Sequence, residues 1–257
     1  MKRFINNLLS LFNTRVTRVS TYNMLIKKAS LADRYSLLHK IKNNNLEKFI
    51  EYFHLSKGEL AQDLFALSEL NFKRNGFFVE FGATNGVETS NSFLLENEFG
   101  WRGILAEPAK KWHFDLEKNR NAYIEKDCVW KSSGKVLNFN EVKFGELSTI
   151  DNYSKSDKHF SSRERGIKYK VNTISLVDLL DKFNAPKNID YLSIDTEGSE
   201  YEILSFFDFS KYNFKVITCE HNYSNNRDKI FKLLSKNGYE RKFTDVSQFD
   251  DWYVFNK

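Results

Sequence analysis

Residues Phe77–Gly86 read FFVEFGATNG, and the reading of the chain starts from them. Phe77-Phe78-Val79 is a short apolar run, the pattern of a strand buried on both faces. Glu80 and Phe81 lead into a loop flanked by Gly82 and Gly86. Glycine permits a tight turn and lets backbone approach a ligand closely. Glu88-Thr89-Ser90 follow, then Phe93, Leu94 and Leu95 at helical positions. A strand passing through a glycine turn into a helix is the phosphate- or nucleoside-binding corner of a doubly wound α/β sheet.

The charges in this loop say which ligand it suits. A dinucleotide fingerprint has three glycines, and its diphosphate sits on the helix N-terminus. This loop has two, and it puts Glu80 and Glu88 where a diphosphate tolerates no negative charge. A cationic, zwitterionic ligand fits better. S-adenosylmethionine, with its sulfonium and ammonium, is the commonest of these. An ordinary strand-turn-helix has the same local pattern, so the rest of the chain has to decide.

At 257 residues the chain suits one large domain, or a domain with an extension. Folding at this size buries about 70–75% of the extended-chain surface. The 24 Phe point to a Phe-rich core. A net charge of +5, from 39 basic and 34 acidic residues, is too mild and too mixed to indicate nucleic acid. No stretch reaches the length of a transmembrane helix. Cys128 and Cys219 are too few for a disulfide framework or a zinc cluster, and a reducing cytoplasm is the simple expectation. The opening MKRFINNLLSLF has a basic start but only a short, broken apolar run, so a signal peptide is rejected.

Residues 1–70 read as a helical N-terminal extension, and 71–257 as the ligand-binding domain. Phe4, Ile5, Leu8, Leu9, Leu11 and Phe12 repeat at helical spacing. They suggest a helix docked on its own domain or on a second copy of the chain, with membrane-surface contact by residues 1–12 as a weaker alternative. Ser56 and Glu59 read as a capping box before a helix lined by Leu60, Leu64 and Leu67, with Gln62 and Asp63 off the stripe. Helix Thr89–Phe99 ends at Gly100. Strand Ile104–Ala106 ends in Glu107-Pro108, about 20 residues past the loop, where a carboxylate accepts from ribose hydroxyls. Helix Pro108–Arg120 leads to strand Ala122–Glu125 and then to Asp127, a third strand end, beside Cys128. Lys135–Val142 is an extra strand. Gly145–Lys170 reads as a long polar loop whose Arg163, Arg165 and Lys168 suit an anionic substrate portion. Strand Ile189–Ile194 ends in Asp195-Thr196-Glu197, and strand Phe214–Cys219 ends in Glu220-His221. Tyr239–Thr244 and Asp251–Phe255 form a terminal antiparallel pair. The βα alternation predicts a mostly parallel sheet with helices on both faces.

Glu80, Glu107, Asp127, Asp195 and Glu220-His221 then fall on one sheet edge, where ligands bind in open α/β folds. So many acidic groups together repel one another unless a cation or hydrogen bonds offset them. A cationic cofactor, a metal, or both would do so.

The blocks FVEFGATNG, ETSNSFLLE, GILAEP, VNTISLVDLL, LSIDTEGSEYEIL and CEHN together resemble the FkbM-type family of S-adenosylmethionine-dependent methyltransferases. The resemblance runs from about Leu60 to the C-terminus. It implies a Rossmann-like, seven-stranded, mostly parallel sheet of the class I methyltransferase type. It also implies O-methylation of a hydroxyl, often on a sugar or polyketide-type product, as in polysaccharide biosynthesis. Carried over by position, Glu80, Gly82, Ala83, Thr84, Asn85 and Gly86 wrap the methionine part, with Thr89 and Ser90 under it. Glu107 and Pro108 hold the ribose, and Asp127-Cys128 border adenine. Asp195, Glu197, Glu220 and His221 face the transferring methyl, and Gln62-Asp63 become possible contributors. His221 is the natural base. Alternatively Asp195, Glu220 and His221 hold Mg or Mn, which acidifies the hydroxyl. A nucleotide-sugar or NAD enzyme, or a non-catalytic scaffold in glycan assembly, are the competing readings.

Overall fold

A computed structural model describes residues 35–143, 145–154 and 160–256. The helix expected over residues 1–12, with its docking or membrane contact, lies outside them. Two short helices, α1 (Asn43–Tyr52) and α2 (Gln62–Glu69), precede β1 (Phe77–Phe81). Then come α3 (Phe93–Phe99), β2 (Arg102–Ala106), α4 (His113–Asn119), β3 (Tyr123–Glu125), β4 (Cys128–Trp130), β5 (Val136–Glu141) and β6 (Thr149–Ile150). The chain continues through α5 (Phe160–Arg163), β7 (Ile167–Ser175), α6 (Leu176–Lys182), β8 (Asn188–Ile194) and α7 (Glu200–Ser205). It closes with β9 (Asn213–Glu220), α8 (Asn226–Lys236), β10 (Tyr239–Lys242) and β11 (Asp250–Phe255).

Seven strands form one sheet in the order β10-β11-β9-β8-β1-β2-β3. The pairs from β9 to β3 are parallel, while β11 lies antiparallel to both β9 and β10. The expected mostly parallel seven-stranded sheet is therefore present. Side chains alternate across it as strand geometry requires. Val79 and Phe81 pack on one face with Leu179 and Leu180 of α6, Leu204 of α7 and Leu234 of α8. Phe78 packs on the other with Leu64 of α2 and Leu94 and Leu95 of α3. Helix α2 is buried from Gln62 to Ser68, and its Phe65 stacks on Trp252 of β11 at 4.6 Å. The layer on that face thus crosses the division expected at residue 70.

The ends of several elements differ from expectation. The helix after the glycine loop begins at Phe93, because residues 90–92 turn their polar groups toward Glu80. Helix α2 begins at Gln62, with Ala61 rather than Ser56 at its N-cap. Asp63 accepts from the Ser56 hydroxyl at 2.6 Å and from the Lys57 N–H at 3.0 Å. Helix Pro108–Arg120 is a 3₁₀ turn, Lys110–Trp112, followed by α4.

The extra strand expected over Lys135–Val142 is β5, and it belongs to a second sheet, β4-β7-β5-β6, whose β6 and the start of β7 lie in the segment expected as a loop. β7 spans nine residues and begins inside the segment expected as a loop, because Ile167–Asn172 pairs along β5. Phe139, Ile150 and Val171 form a small apolar cluster with Cys128 and Ala109. This sheet walls one side of the cleft described next. No helix among the described residues is long and apolar enough to cross a membrane.

Candidate active site

A cleft of about 260 Å³ runs along the carboxyl ends of β1, β2, β8 and β9. Open α/β sheets bind ligands at that edge because loops, not helices, cover the strand ends there. Gly82 shapes its floor. It has φ +74°, and a Cβ there would lie 2.1 Å from the Asp195 carbonyl oxygen. Only glycine lets the β1 loop cross β8 so closely. Gly86 is needed for another reason: its Cβ would meet Arg120 Cγ at 2.6 Å.

Glu80, at the end of β1, is buried beneath the loop. It accepts from the Asn91 N–H at 2.6 Å, from Ser90 Oγ at 3.0 Å, and from Ser92 Oγ. Burial pushes its carboxyl above the ordinary value, opposed by the Arg120 guanidinium and these hydrogen bonds. Arg120 itself is buried and donates to the Gly86 carbonyl at 2.9 Å and to Ser92 Oγ at 2.8 Å. The sequence reading gave Arg120 no role, because the contact joins residues more than 25 positions apart.

Glu107 stands at the end of β2. One oxygen accepts from the Thr84 N–H at 2.8 Å and the other from the Ala109 N–H at 2.7 Å. Burial nevertheless pushes its carboxyl up to about 7. Pro108, Cys128, Phe139 and Leu147 line the cleft beside it. Burial also pushes the Cys128 thiol up to about 12, so it acts as a small apolar contact.

At the opposite end, atoms of Asp195, Glu197 and Glu220 lie within 4.8 Å of one another. Burial, then neighbouring carboxylates, pushes the Asp195 and Glu220 carboxyls upward. Two such groups in contact share a proton rather than both ionise. Glu197 differs: Arg163 donates to it at 2.7 Å and Asn222 at 3.2 Å. Arg163 also donates to the Leu147 carbonyl at 2.8 Å. It is buried rather than solvated, and is spent on the protein instead of an anionic substrate. Thr84, Thr89, Glu197 and Asn222 all have positive φ around this cleft. Such conformations cost on the order of 1–3 kcal/mol each and gather at sites that the surrounding fold holds in place.

Several expected site residues lie elsewhere. His221 does not face the cleft. Its Nδ1 accepts from the Tyr223 N–H at 2.9 Å, and its Nε2 lies 3.8 Å from Asp251 Oδ1. Burial lowers its pKa, keeping the ring neutral. The metal set Asp195, Glu220 and His221 is accordingly not assembled. The group that does assemble includes Glu197, whose charge Arg163 already neutralises, so it does not fit an ion as it stands. Asp127 is half-buried and absent from the cleft wall, because the chain turns there from the first sheet into the second. Its N–H donates to Glu125 Oε1 at 3.0 Å. Asn85 forms a local turn, accepting from the Val87 and Glu88 N–H groups at 2.9 Å. Ala83, Gly86 and Ser90 sit behind the wall as its support. Asn91 and Phe249 line the cleft without having been singled out, as does Glu59, which the sequence reading placed only in a helix cap, and residues 145–148 of the expected loop line it too. Gln62 and Asp63 are buried, and Gln62 donates to Asp250 at 2.9 Å.

A doubly wound sheet of this order, with an acid-rimmed cleft along its carboxyl edge, is the fold of the S-adenosylmethionine-dependent methyltransferases. The chain belongs to the FkbM methyltransferase family: residues 80–253 match the Methyltransferase FkbM domain. That membership implies S-adenosylmethionine as cofactor. No curated protein matches the sequence. Among solved structures, it is similar to the precorrin-6y C5,15-methyltransferase of Geobacter metallireducens GS-15. The two share 14% identity, with 75% of this chain and 85% of that chain covered and a TM-score of 0.40. A ribosomal protein L11 methylase of Lactobacillus delbrueckii subsp. bulgaricus is 9% identical, with 76% of each chain covered and a TM-score of 0.40. A SAM-dependent methyltransferase of Aquifex aeolicus is 8% identical, covering 86% of this chain and 97% of that one, with a TM-score of 0.37. Likenesses this distant select no acceptor.

Proposed function

We propose that this protein is an O-methyltransferase acting on a hydroxyl of a saccharide or related natural product. The observation that carries the reading is the pairing of Asp195 with Glu220 at the end of the cleft opposite Glu107. In this reading Glu107 accepts from the ribose hydroxyls, while Cys128, Phe139 and Leu147 flank the adenine. Gly82 and Thr84 offer backbone close to the ligand, and the acidic end faces its positive charge. S-adenosylmethionine, when bound, supplies a methyl group already activated on a cationic sulfur, which keeps the C–S electron pair. The protein's own task is alignment and removal of one proton. Asp195 and Glu220 together receive the proton of the acceptor hydroxyl. Burial and neighbouring carboxylates raise their affinity for a proton, which suits a proton acceptor. Arg163 pairs with Glu197 beside them, and Asn222 donates to the same carboxylate.

Calorimetry with S-adenosylmethionine, NAD and a nucleotide-sugar tests the cofactor. Heat from S-adenosylmethionine alone supports the reading, and heat from either of the others in its place removes it. Transfer of a labelled methyl group to a saccharide fraction, unaffected by chelator, separates an enzyme from a scaffold.

A further inference from the structure

Asn91 lies between the β1 loop and α3 and lines the cleft. Its N–H donates to Glu80 Oε1 at 2.6 Å, and its Nδ2 donates to Ser193 Oγ at 2.9 Å. Glu80 and Ser193 are register partners on β1 and β8, so Asn91 is tied to two adjacent strands of the sheet. Its Oδ1 is buried and meets no donor among the described residues. A buried acceptor without a donor is costly, and most are satisfied in folded chains. Gly58 lies against this oxygen, and a Cβ there would come within 2.7 Å of it. The Gly58 N–H gives it no help, being turned to Asp63 Oδ2 at 3.5 Å.

A second acceptor of this kind lines the same cleft. Asp195 Oδ1 is also buried without a donor among the described residues. Ser193, which anchors the Asn91 amide, stands two positions before Asp195. Side chains two apart leave a strand on the same face, about 7 Å from each other. Two unanswered acceptors, one of them a carboxyl oxygen, suit a ligand group that is positively charged and carries several N–H donors. The sulfonium of S-adenosylmethionine has no hydrogen to donate. Its α-ammonium has three.

We propose that Asn91 recognises the amino-acid end of the cofactor, its Oδ1 accepting from the α-ammonium of S-adenosylmethionine while Asp195 Oδ1 accepts from the same group. The proposal rests on S-adenosylmethionine as cofactor and adds to that reading the residue that selects its ammonium. Ser193 then positions the amide, and the other Asp195 oxygen is left to the pair with Glu220.

The test uses S-adenosylhomocysteine, which keeps the ammonium and lacks the sulfonium, with two analogues of it: one without the amino group, one without the carboxylate. In calorimetry on the wild-type protein, removing the amino group should weaken binding by about 10- to 100-fold, the scale of lost hydrogen bonds to a charge. Asn91→Leu keeps a branched side chain and offers no acceptor. It should weaken S-adenosylhomocysteine and the decarboxylated analogue by about 10-fold each and leave the deaminated analogue unchanged, since coupling is confined to groups in contact. A second measurement needs no substitution. In nitrogen-labelled wild-type protein the Asn91 side-chain amide signals should shift with S-adenosylhomocysteine and stay in place with the deaminated analogue. Equal losses on all three ligands, no loss on any, or a loss that disappears with the carboxylate instead of the amino group overturn the proposal. So do amide signals that answer alike to the ligands with and without the amino group. No heat from any of these ligands on the wild-type protein overturns the cofactor reading itself.

Discussion

Glu107 stands alone at one end of the cleft, whereas Asp195, Glu197 and Glu220 crowd the other. Both ends bury carboxylates, yet they manage the cost differently. Glu107 meets two backbone amides, which partly offset its desolvation and keep a single charge available near neutral pH. The crowded end manages its three carboxyl groups differently. One is neutralised by Arg163, and the other two share a proton. The lone carboxylate suits steady recognition of hydroxyl donors. The crowded set suits a change of protonation during a reaction.

Gly82 joins the two ends, and Gly82→Val should have the largest effect. The branched side chain collides with the Asp195 carbonyl and strains a positive φ. Binding of S-adenosylmethionine should vanish by calorimetry; retained binding would mean the β1 loop is not the cofactor's floor. Arg163→Met strands the Glu197 charge in the interior. It should cost about 3–5 kcal/mol of stability in a denaturant titration, with Arg163→Lys recovering part. A loss under about 1 kcal/mol would sink the idea that the crowded end depends on it. Glu107→Gln puts an amide N–H against a backbone N–H. It should weaken S-adenosylmethionine by about 10- to 100-fold, the range expected when a charged acceptor is lost.

The dependence on pH comes next in size. Glu107 and Asp250 both titrate at about 7 in the folded chain, above their ordinary 4.5 and 3.8, chiefly through burial. Between those values the folded state holds more protons than the unfolded one. Stability from these groups is thus complete below the ordinary carboxyl range and is lost as pH rises through about 7. A cationic cofactor favours the ionised forms, so its affinity should rise over the same interval, by up to about tenfold per pH unit for each proton released. Calorimetry in two buffers of different ionisation heat counts those protons, and zero release would contradict the assignment. His221→Asn should do least, costing about 1 kcal/mol of stability or less and leaving methyl transfer within a few-fold of wild type. A collapse of kcat with unchanged cofactor affinity would restore His221 as the base.

Much of the comparison was legible in the chain. FFVEF, GILA, IDYLSI and FKVITCE are largely apolar runs because parallel strands are buried on both faces. Their ends mark the sheet's functional edge, so Glu80, Glu107, Asp195 and Glu220 could be named from position alone. The residue after a strand end is harder. Successive strand side chains point to opposite faces, so once Glu220 faces the cleft His221 faces away from it. The second sheet was hidden because IKYKVNTIS exposes its lysines, and the apolar cluster it needs comes from Cys128, Phe139 and Ile150 far along the chain.

The succession of strands along the chain, the glycine loop and the acidic strand ends follow from local patterns of hydrophobicity and turn chemistry, which act over a few residues. Which carboxylates carry charge was decided by folding. Arg163 reaches Glu197 across 34 positions, Asp195 and Glu220 meet from separate strands, and desolvation acts only once the chain has closed around them. Charge in an interior depends on distance and solvent access, and neither exists until the sheet and its covering loops are in place.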